Sequence, residues 1–205
     1  MIIAIDGPSA SGKSRLGKNL SKKLNIKFID SGKLYRIIAY LYIKEGKGEI
    51  GSFLKSKDWW TVFQENFGNE LYSPEVSEIT SILSTNESVR ETVNKFLRDL
   101  YTHYKNLIVA GRDIGTVVFK NADLKVFLTA SDEERKKRRI KQMERLGYSS
   151  EFIDKEIFKR DKRDSTRKIA PLKPAEDAII IDNTNLKKEE TLNIVLEELK
   201  KRGLI

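Results

Sequence analysis

The sequence lacks cysteine altogether, has a single histidine and contains no long hydrophobic run. The absence of cysteine excludes disulfide bonds, thiolate metal sites and a cysteine nucleophile, and it fits a reducing cytoplasm. Because no apolar run reaches about 18 residues, we expect a soluble protein without a transmembrane helix. The start, MIIAID, has no basic segment followed by a small-residue cleavage site, so we expect no secretion signal and a cytoplasmic location.

What the chain has in excess is positive charge. Its 205 residues include 39 Lys and Arg against 30 Asp and Glu, which gives a net charge of +9. Hydrophobic residues make up 39%, enough for one domain with a buried core. A basic protein can bind nucleic acid, a membrane surface or small anions. Residues 131–168 hold 14 basic and 9 acidic residues, so more than half of the net charge lies in this short segment.

Short apolar runs alternate with segments of helical periodicity along most of the chain. The predicted strands are 2–6, 27–30, 107–110, 124–128 and 178–182. The predicted helices are 13–24, 32–44, 87–103, 131–146, 149–165 and 187–202. This alternation predicts an α/β fold with a parallel sheet. The alternation fails between about residues 46 and 87, which we interpret as an irregular, aromatic insertion over the sheet edge.

Residues 7–14, GPSASGKS, match the phosphate-binding pattern G-x-x-x-x-G-K-[ST], with a predicted strand before them and a helix after. Glycine permits backbone conformations that point N–H groups at phosphate oxygens, and the helix N-terminus adds positive charge. Lys13 can reach the β- and γ-phosphates of a nucleoside triphosphate, and the Ser14 hydroxyl can bind Mg²⁺. The predicted ATP-binding residues here are Gly7, Pro8, Ser9, Ala10, Ser11, Gly12, Lys13, Ser14 and Arg15.

Two further segments follow predicted strands, at the sheet edge where α/β proteins bind ligands. The first is DSGKLYR, residues 30–36, in which Arg36 could hold an anion; a capped helix with a surface arginine explains it equally well. The second is VAGRDIGTVVF, residues 109–119, in which two glycines bracket Arg112 and Asp113. A surface turn rarely needs both charges between glycines, so this segment favours a binding site.

The segments GPSASGKS, DSGKLYR, GRDIGTVVF and KRDKRDSTRKIAPL, in this order, resemble the bacterial cytidylate kinase family over nearly the whole chain. The resemblance implies a five-stranded parallel sheet of the P-loop kinase type, flanked by helices. It also implies a core of residues 1–45, 86–130 and 169–205, a monophosphate-binding insert at 46–85 and a helical lid at 131–168. The activity it implies is Mg²⁺-dependent transfer of the ATP γ-phosphoryl group to CMP or dCMP, in pyrimidine nucleotide metabolism.

The same resemblance assigns a CMP site. Its residues are Ser31, Arg36, Ser81, Arg90, Arg112, Asp113, Arg160, Asp164 and Arg167. Arg36 would contact the phosphate and Asp164 the sugar, while Ser81, Arg90 and Asp113 would contact cytosine. Cytosine offers an amino donor and the N3 and O2 acceptors, which a carboxylate, a hydroxyl and a guanidinium can match. Uracil would leave Asp113 facing a carbonyl, so we expect strong rejection of UMP.

Phosphoryl transfer needs alignment, exclusion of water and positive charge around the transferring group. We therefore propose neither a general base nor a phosphoenzyme. In this family context the basic helix that begins near residue 131 would be the first lid helix. Its Arg135 would bind ATP. The predicted catalytic residues are Lys13, Arg139, Arg160 and Arg167.

The segment KRDKRDSTRK, residues 159–168, is almost entirely charged. On a helix, Arg160, Asp164 and Arg167 fall at i, i+4 and i+7 and share one face. The resemblance places the two arginines on phosphate. The lysines at 159, 162 and 168, with the arginine at 163, mostly point elsewhere and keep the helix soluble.

The chain departs from the family pattern in two places. Many members have an acidic residue where this chain has Ala110, which leaves open which group helps to hold Mg²⁺. The insert is also short, and residues 71–76 read LYSPEV, without the arginine that often precedes this segment in the family. The pocket wall on that side is therefore expected to differ, and with it any preference between CMP and dCMP.

Two other functions stay open at this point. One is a kinase for UMP, AMP, dTMP or a hydroxy acid such as shikimate, which would not need Ser81, Arg90 and Asp113 together. The other is a basic P-loop regulator that binds nucleic acid, against which the position of the charge argues. We expect a monomer that binds neither nucleic acid nor membranes. His103 and the pair Trp59 and Trp60 are interpreted as structural, and residues 182–186 as a candidate contact for adenine.

Overall fold

Five strands form one parallel sheet in the computed structural model, which describes residues 1–148 and 153–205, with the side chains of all of these except 153–158. The strands are β1 (Ile2–Asp6), β2 (Lys27–Asp30), β3 (Leu107–Ala110), β4 (Leu124–Thr129) and β5 (Ile179–Asp182). Their order in the sheet is β2-β3-β1-β4-β5, and every neighbouring pair is parallel. The predicted α/β fold with a five-stranded parallel sheet is confirmed.

Helices connect the strands and cover both faces of the sheet. They are α1 (Lys13–Leu24), α2 (Ser31–Lys44), α3 (Ile50–Lys55), α4 (Trp59–Val62), α5 (Pro74–Leu83), α6 (Glu87–Tyr104), α7 (Asp132–Arg145), α8 (Ile153–Thr166) and α9 (Lys188–Lys201). A helix was predicted at 149–165, of which residues 149–152 lie outside the described part of the chain. In that described part, no helix is long and apolar enough to cross a membrane.

The core consists of two apolar layers, one on each face of the sheet. Strand β1 is buried at every position because it is central and covered on both sides. Its side chains alternate, so Ile3 and Ile5 pack in the layer formed with α1 and α9, while Ile2 and Ala4 pack with α2 and α6. This packing fixes the position of β1 and hence of the loop that follows it.

The segment 46–85, whose sequence shows no clear period, contains several short helices. Its assignment as an insertion over the sheet edge stays a prediction. The segment contains α3, α4, α5 and a turn of 3₁₀ helix at Asn69–Tyr72. These elements are too short to show a clear helical period, and side-chain caps from Glu49, Asp58 and Ser73 define their starts. Aromatic side chains join them, with Trp59 packed between Phe53 and Phe63, and the segment lies against α2 and α6.

Candidate active site

The loop after β1 takes the backbone conformation that the phosphate-binding pattern predicts. Gly7 and Gly12 have φ of +147° and +99°, and Ala10 also has a positive φ, of +58°. A Cβ atom at Gly7 would lie 2.0 Å from the carbonyl oxygen of Leu128 in β4, so only glycine fits there. The loop then leads into the N-terminus of α1, which attracts anions.

Lys13 and Ser14 lie where this loop enters α1. The buried Lys13 ammonium donates to the Pro8 carbonyl at 2.6 Å and lies 3.4 Å from Ser11 Oγ. Burial, reinforced by the nearby Arg112, lowers the pKa of Lys13 well below its usual value. The Ser14 hydroxyl donates to Asp30 Oδ2 at 2.5 Å. The Asp30 carboxylate also accepts from Gly32 N at 3.0 Å, which caps α2.

A cleft at the carboxyl edge of the sheet, called the central cleft below, brings together most of the predicted residues. Those that line it are Ser9, Ala10, Lys13, Ser14, Ser31, Arg36, Arg90, Arg112, Asp113, Arg139, Arg160, Asp164 and Arg167. A second cleft, the outer cleft, lies over the phosphate loop and is lined by Arg15, Gly12 and basic residues of α7. The two clefts share Ala10, Lys13, Ser14, Tyr72 and Gln142.

Buried arginines crowd one part of the central cleft. Burial, and then repulsion from Arg160 and Arg139, lowers the pKa of Arg36 to about 9. Burial, and then repulsion from Arg112, lowers the pKa of Arg160 to about 10. Within the described residues, the buried Nε of Arg160 has no hydrogen-bond partner. Like charges held close together and away from water favour the binding of an anion.

Two buried carboxylates tie other arginines into a network beside this cationic cluster. Asp113 pairs with Arg90 and with Arg167, the latter at 3.2 Å. Asp164 pairs with Arg112 at 2.9 Å and lies 3.7 Å from Arg167. Burial alone would raise the pKa of Asp164, but the surrounding arginines outweigh it and hold that pKa below its usual value. The network joins α6, the turn after β3 and the C-terminal end of α8.

Sequence reasoning missed Asp6, the last residue of β1. Its carboxylate accepts hydrogen bonds from Ile114 N at 2.8 Å and Gly115 N at 2.7 Å, and so fixes the turn that carries Arg112 and Asp113. Burial raises the pKa of Asp6 to about 6, although both backbone hydrogen bonds act in the opposite direction. The only sequence signal was its position, directly before the first glycine of the phosphate loop.

The helices α7 and α8 reach across the cleft to the phosphate loop. Arg135 donates to the Ser9 carbonyl at 3.1 Å and pairs with Asp161, whose carboxylate accepts from Ser9 N at 2.9 Å. Arg138 donates to Asn183 Oδ1 at 2.8 Å, and the Asn183 amide donates to the Ser11 carbonyl at 2.9 Å. Asp161 and Arg138 were not predicted as site residues, and the segment 182–186 touches the phosphate loop through Asn183.

Among the nine residues predicted for the CMP site, Ser81 is the one that does not line the central cleft. It is buried, and within the described residues its Oγ has no hydrogen-bond partner. Thr80 and Ser84, on either side of it, do line the cleft. The half-buried side chains of Tyr35 and Tyr72 also line it and were not predicted. Burial raises the pKa of Tyr35 to about 12.

Comparison with known proteins shows the family of this chain. The family model described as "Cytidylate kinase" matches residues 3–201. The chain is 40% identical to the cytidylate kinase of Thermotoga maritima, with 98% of this chain and 97% of that protein covered. It is also 40% identical to the cytidylate kinase of Aquifex aeolicus, with 99% and 97% covered.

The chain belongs to the cytidylate kinase family. The resemblance drawn from the four sequence segments is therefore confirmed. Among solved structures, shikimate kinase from Acinetobacter baumannii in complex with shikimate has a TM-score of 0.53 at 18% identity, covering 100% of this chain and 95% of that one. This likeness shows that the chain shares its fold with that shikimate kinase.

Proposed function

We propose that this chain transfers the γ-phosphoryl group of ATP to CMP or dCMP, giving ADP and CDP or dCDP. The observation that carries this proposal is the central cleft, in which a phosphate loop faces a buried arginine cluster and a paired network of carboxylates and arginines. Such a cleft can hold two phosphates and a polar base at once. All of these groups come from one chain, so a monomer suffices for the reaction.

The acceptor nucleotide would lie along the central cleft. Arg36, Arg160 and Arg167 would hold its phosphate, assisted by Ser31 and Arg112 at the end of the sheet. Asp164 would accept from a sugar hydroxyl. Asp113 and Arg90 would contact the cytosine edge together with Ser81, whose Oγ has no partner among the described residues. A buried hydroxyl without a partner costs about 1–3 kcal/mol, which a bound base would recover.

The donor ATP would bind along the phosphate loop, from Gly7 to Ser14, with Arg15 and Arg135 beside it. Lys13, Arg139, Arg160 and Arg167 would carry the charge of the transferring group, and no general base is required. We propose that residues 46–85 act as the monophosphate-binding insert and 131–168 as the lid. In support, Glu78 of α5, in the proposed insert, pairs with Arg163 of α8, in the proposed lid, at 3.2 Å.

A magnesium ion would fit beside the phosphate loop. Among the described residues there is no group of three or more His, Cys, Asp or Glu that could hold a metal ion. Mg²⁺ in kinases is bound by one or two protein oxygens together with waters and substrate phosphates. The Ser14 hydroxyl and the Asp30 carboxylate, 2.5 Å apart, would supply those oxygens, with Asp30 in place of the carboxylate absent at Ala110. The ion would neutralise charge on the β- and γ-phosphates.

Substrate choice tests the proposed function directly. We expect CMP and dCMP to exceed UMP and AMP in kcat/KM by about 5- to 150-fold, the discrimination given by one well-placed pair of hydrogen bonds, about 1–3 kcal/mol. The measurement is a coupled assay of ADP release over a panel of nucleoside monophosphates. A panel in which UMP or AMP is the better acceptor would show that the cytidylate assignment is wrong for this chain.

Replacing Asp30 with asparagine tests the magnesium site. Asparagine caps a helix as well as aspartate does, so α2 should remain intact. The loss of the negative charge should raise the Mg²⁺ concentration needed for half-maximal activity by about tenfold. The control is Asp58→Asn, which keeps the analogous cap of α4 at a residue that lines neither cleft. Equal Mg²⁺ dependence in the wild type and Asp30→Asn would contradict the role of Asp30.

A further inference from the structure

Tyr72 lies where the two clefts meet. It ends the 3₁₀ helix Asn69–Tyr72 and lines both the central cleft and the outer cleft. The other residues that line both are Ala10, Lys13 and Ser14 of the phosphate loop and Gln142 of α7. Tyr72 is therefore the residue of segment 46–85 that lies where the donor and acceptor phosphates would meet.

The ring of Tyr72 packs against Arg36. The Arg36 guanidinium lies 5.0 Å from the ring centroid, within the range of a cation–π contact. The same guanidinium donates to the Leu71 carbonyl at 2.8 Å, and the fully buried Leu71 anchors this turn in the core. Arg36 is thus held on one side by the backbone before Tyr72 and on another by the ring itself.

Charged groups surround Tyr72 where it lines the two clefts. Burial raises the pKa of Tyr72, and the next contribution is the negative charge of Asp30, which also contacts Ser14. The positive charges of Arg36 and Arg139 act in the opposite direction. The phenol therefore stays protonated near pH 7 and takes no part as a base. What Tyr72 offers at this position is a neutral, apolar ring among charged groups.

We infer that Tyr72 is a positioning residue that aims Arg36 at the acceptor phosphate and keeps water out of the junction between the clefts. The inference rests on the proposed function. In the transfer, an acceptor phosphate oxygen bonds to the γ-phosphorus as the bond to the ADP oxygen breaks. If water attacks instead, the same bond breaks, inorganic phosphate forms and a proton passes to solvent. An apolar wall at the junction favours the first outcome over the second.

The test compares Tyr72→Leu with Tyr72→Phe. Leucine removes the ring, so we expect KM for CMP to rise about tenfold, as the loss of a desolvated cation–π contact predicts. We also expect less CDP formed per ATP consumed, because ATP hydrolysis increases. Phenylalanine keeps the ring and should match the wild type in both quantities. KM for ATP should stay unchanged in both variants, which shows that the phosphate loop is intact.

A matched control is Tyr40→Leu. Tyr40 packs against Phe67 and lies 5.2 Å from the Lys44 ammonium, so the substitution also removes a ring and a cation–π contact. Tyr40 lines neither cleft, and its variant should keep the wild-type ratio of CDP to ATP consumed. The inference is overturned if Tyr72→Leu keeps the wild-type ratio and the wild-type KM for CMP. It is also overturned if Tyr72→Phe changes both quantities, or if Tyr40→Leu changes them as much as Tyr72→Leu does.

The same experiment separates this inference from the proposed function. A wild-type enzyme that phosphorylates CMP, together with unaffected Tyr72 variants, would overturn the inference alone. A wild-type enzyme that prefers another monophosphate would overturn the proposed function, and the three variants would then be compared with that acceptor. A wild-type enzyme that phosphorylates no monophosphate would overturn both.

Discussion

Replacing Arg160 or Arg167 with alanine should lower kcat by about 1,000-fold, the effect of removing a cation that stabilises a transferring phosphoryl group. Both side chains line the central cleft. Lys162 lies between them in the sequence but is exposed. Lys162→Ala should therefore change kcat by no more than about twofold, as is usual for surface substitutions.

The two arginine variants should differ in stability. Arg167 pairs with Asp113 and Asp164, and removing one partner of a buried ion pair costs about 3–5 kcal/mol. Arg160 is crowded by Arg112, and its Nε has no partner among the described residues, so Arg160→Ala should keep or raise the melting temperature. Steady-state kinetics and thermal melts measure both effects. Equal, small kinetic effects in all three variants would mean that this segment is a solvated surface.

The sheet and the phosphate loop could be predicted because their signals are local. A buried parallel strand is a short apolar run, and the loop after β1 requires glycine at fixed positions. The helices α1 and α2 were predicted to within a residue, since Asp30 caps α2 and a continuous apolar stripe marks each helix. The helices of segment 46–85 were not predicted individually, because they are too short to show a helical period, and the contact of Phe53 with Trp59 joins residues of two of them.

The candidate site depends more on contacts between distant residues. Sequence spacing placed Arg160, Asp164 and Arg167 on one helix face, and the structure brings all three to the central cleft. Spacing could not show that Asp161 accepts a hydrogen bond from Ser9, across 152 residues of chain. Nor could it show that Lys159, expected to be merely solvated, lies 3.4 Å from Glu78. Such partners are set by the packing of α8 against α5 and α7, which no local pattern records.

The site assignments taken from the family resemblance depend on both kinds of information. The sequence motifs name the residues, and the fold decides which of them can reach one ligand. Arg90 lies on α6, the pattern GRDIG follows β3, and Arg167 comes just after α8, yet Asp113 contacts both arginines. Ser81 shares the motif evidence but not the position on the cleft. The proposed role of Ser81 therefore requires the bound base to reach the buried Ser81 hydroxyl.

Substituting alanine for Gly7 should abolish ATP binding. The new Cβ would lie 2.0 Å from the Leu128 carbonyl oxygen, a distance at which the two atoms overlap. Neither side can yield easily, because β4 is paired with β1 on one side and with β5 on the other. The φ of +147° is itself one that alanine rarely adopts. We expect a loss of stability of about 3 kcal/mol from the overlap and a phosphate loop that no longer points its N–H groups inward.

Gly147→Ala separates the effect of atomic overlap from the effect of backbone strain. Gly147 has a φ of +81°, but a Cβ atom there would meet nothing within 4 Å. This variant should lose only about 1 kcal/mol and keep its ATP affinity, because strain alone acts at that position. Nucleotide titration and denaturant unfolding measure both quantities in both variants. Wild-type ATP affinity in Gly7→Ala would mean that β4 does not close against the loop as the structure has it. Loss of ATP binding in Gly7→Ala alone would show that the carbonyl of Leu128 restricts this position to glycine, and that the phosphate loop owes its shape to the sheet as well as to its own sequence.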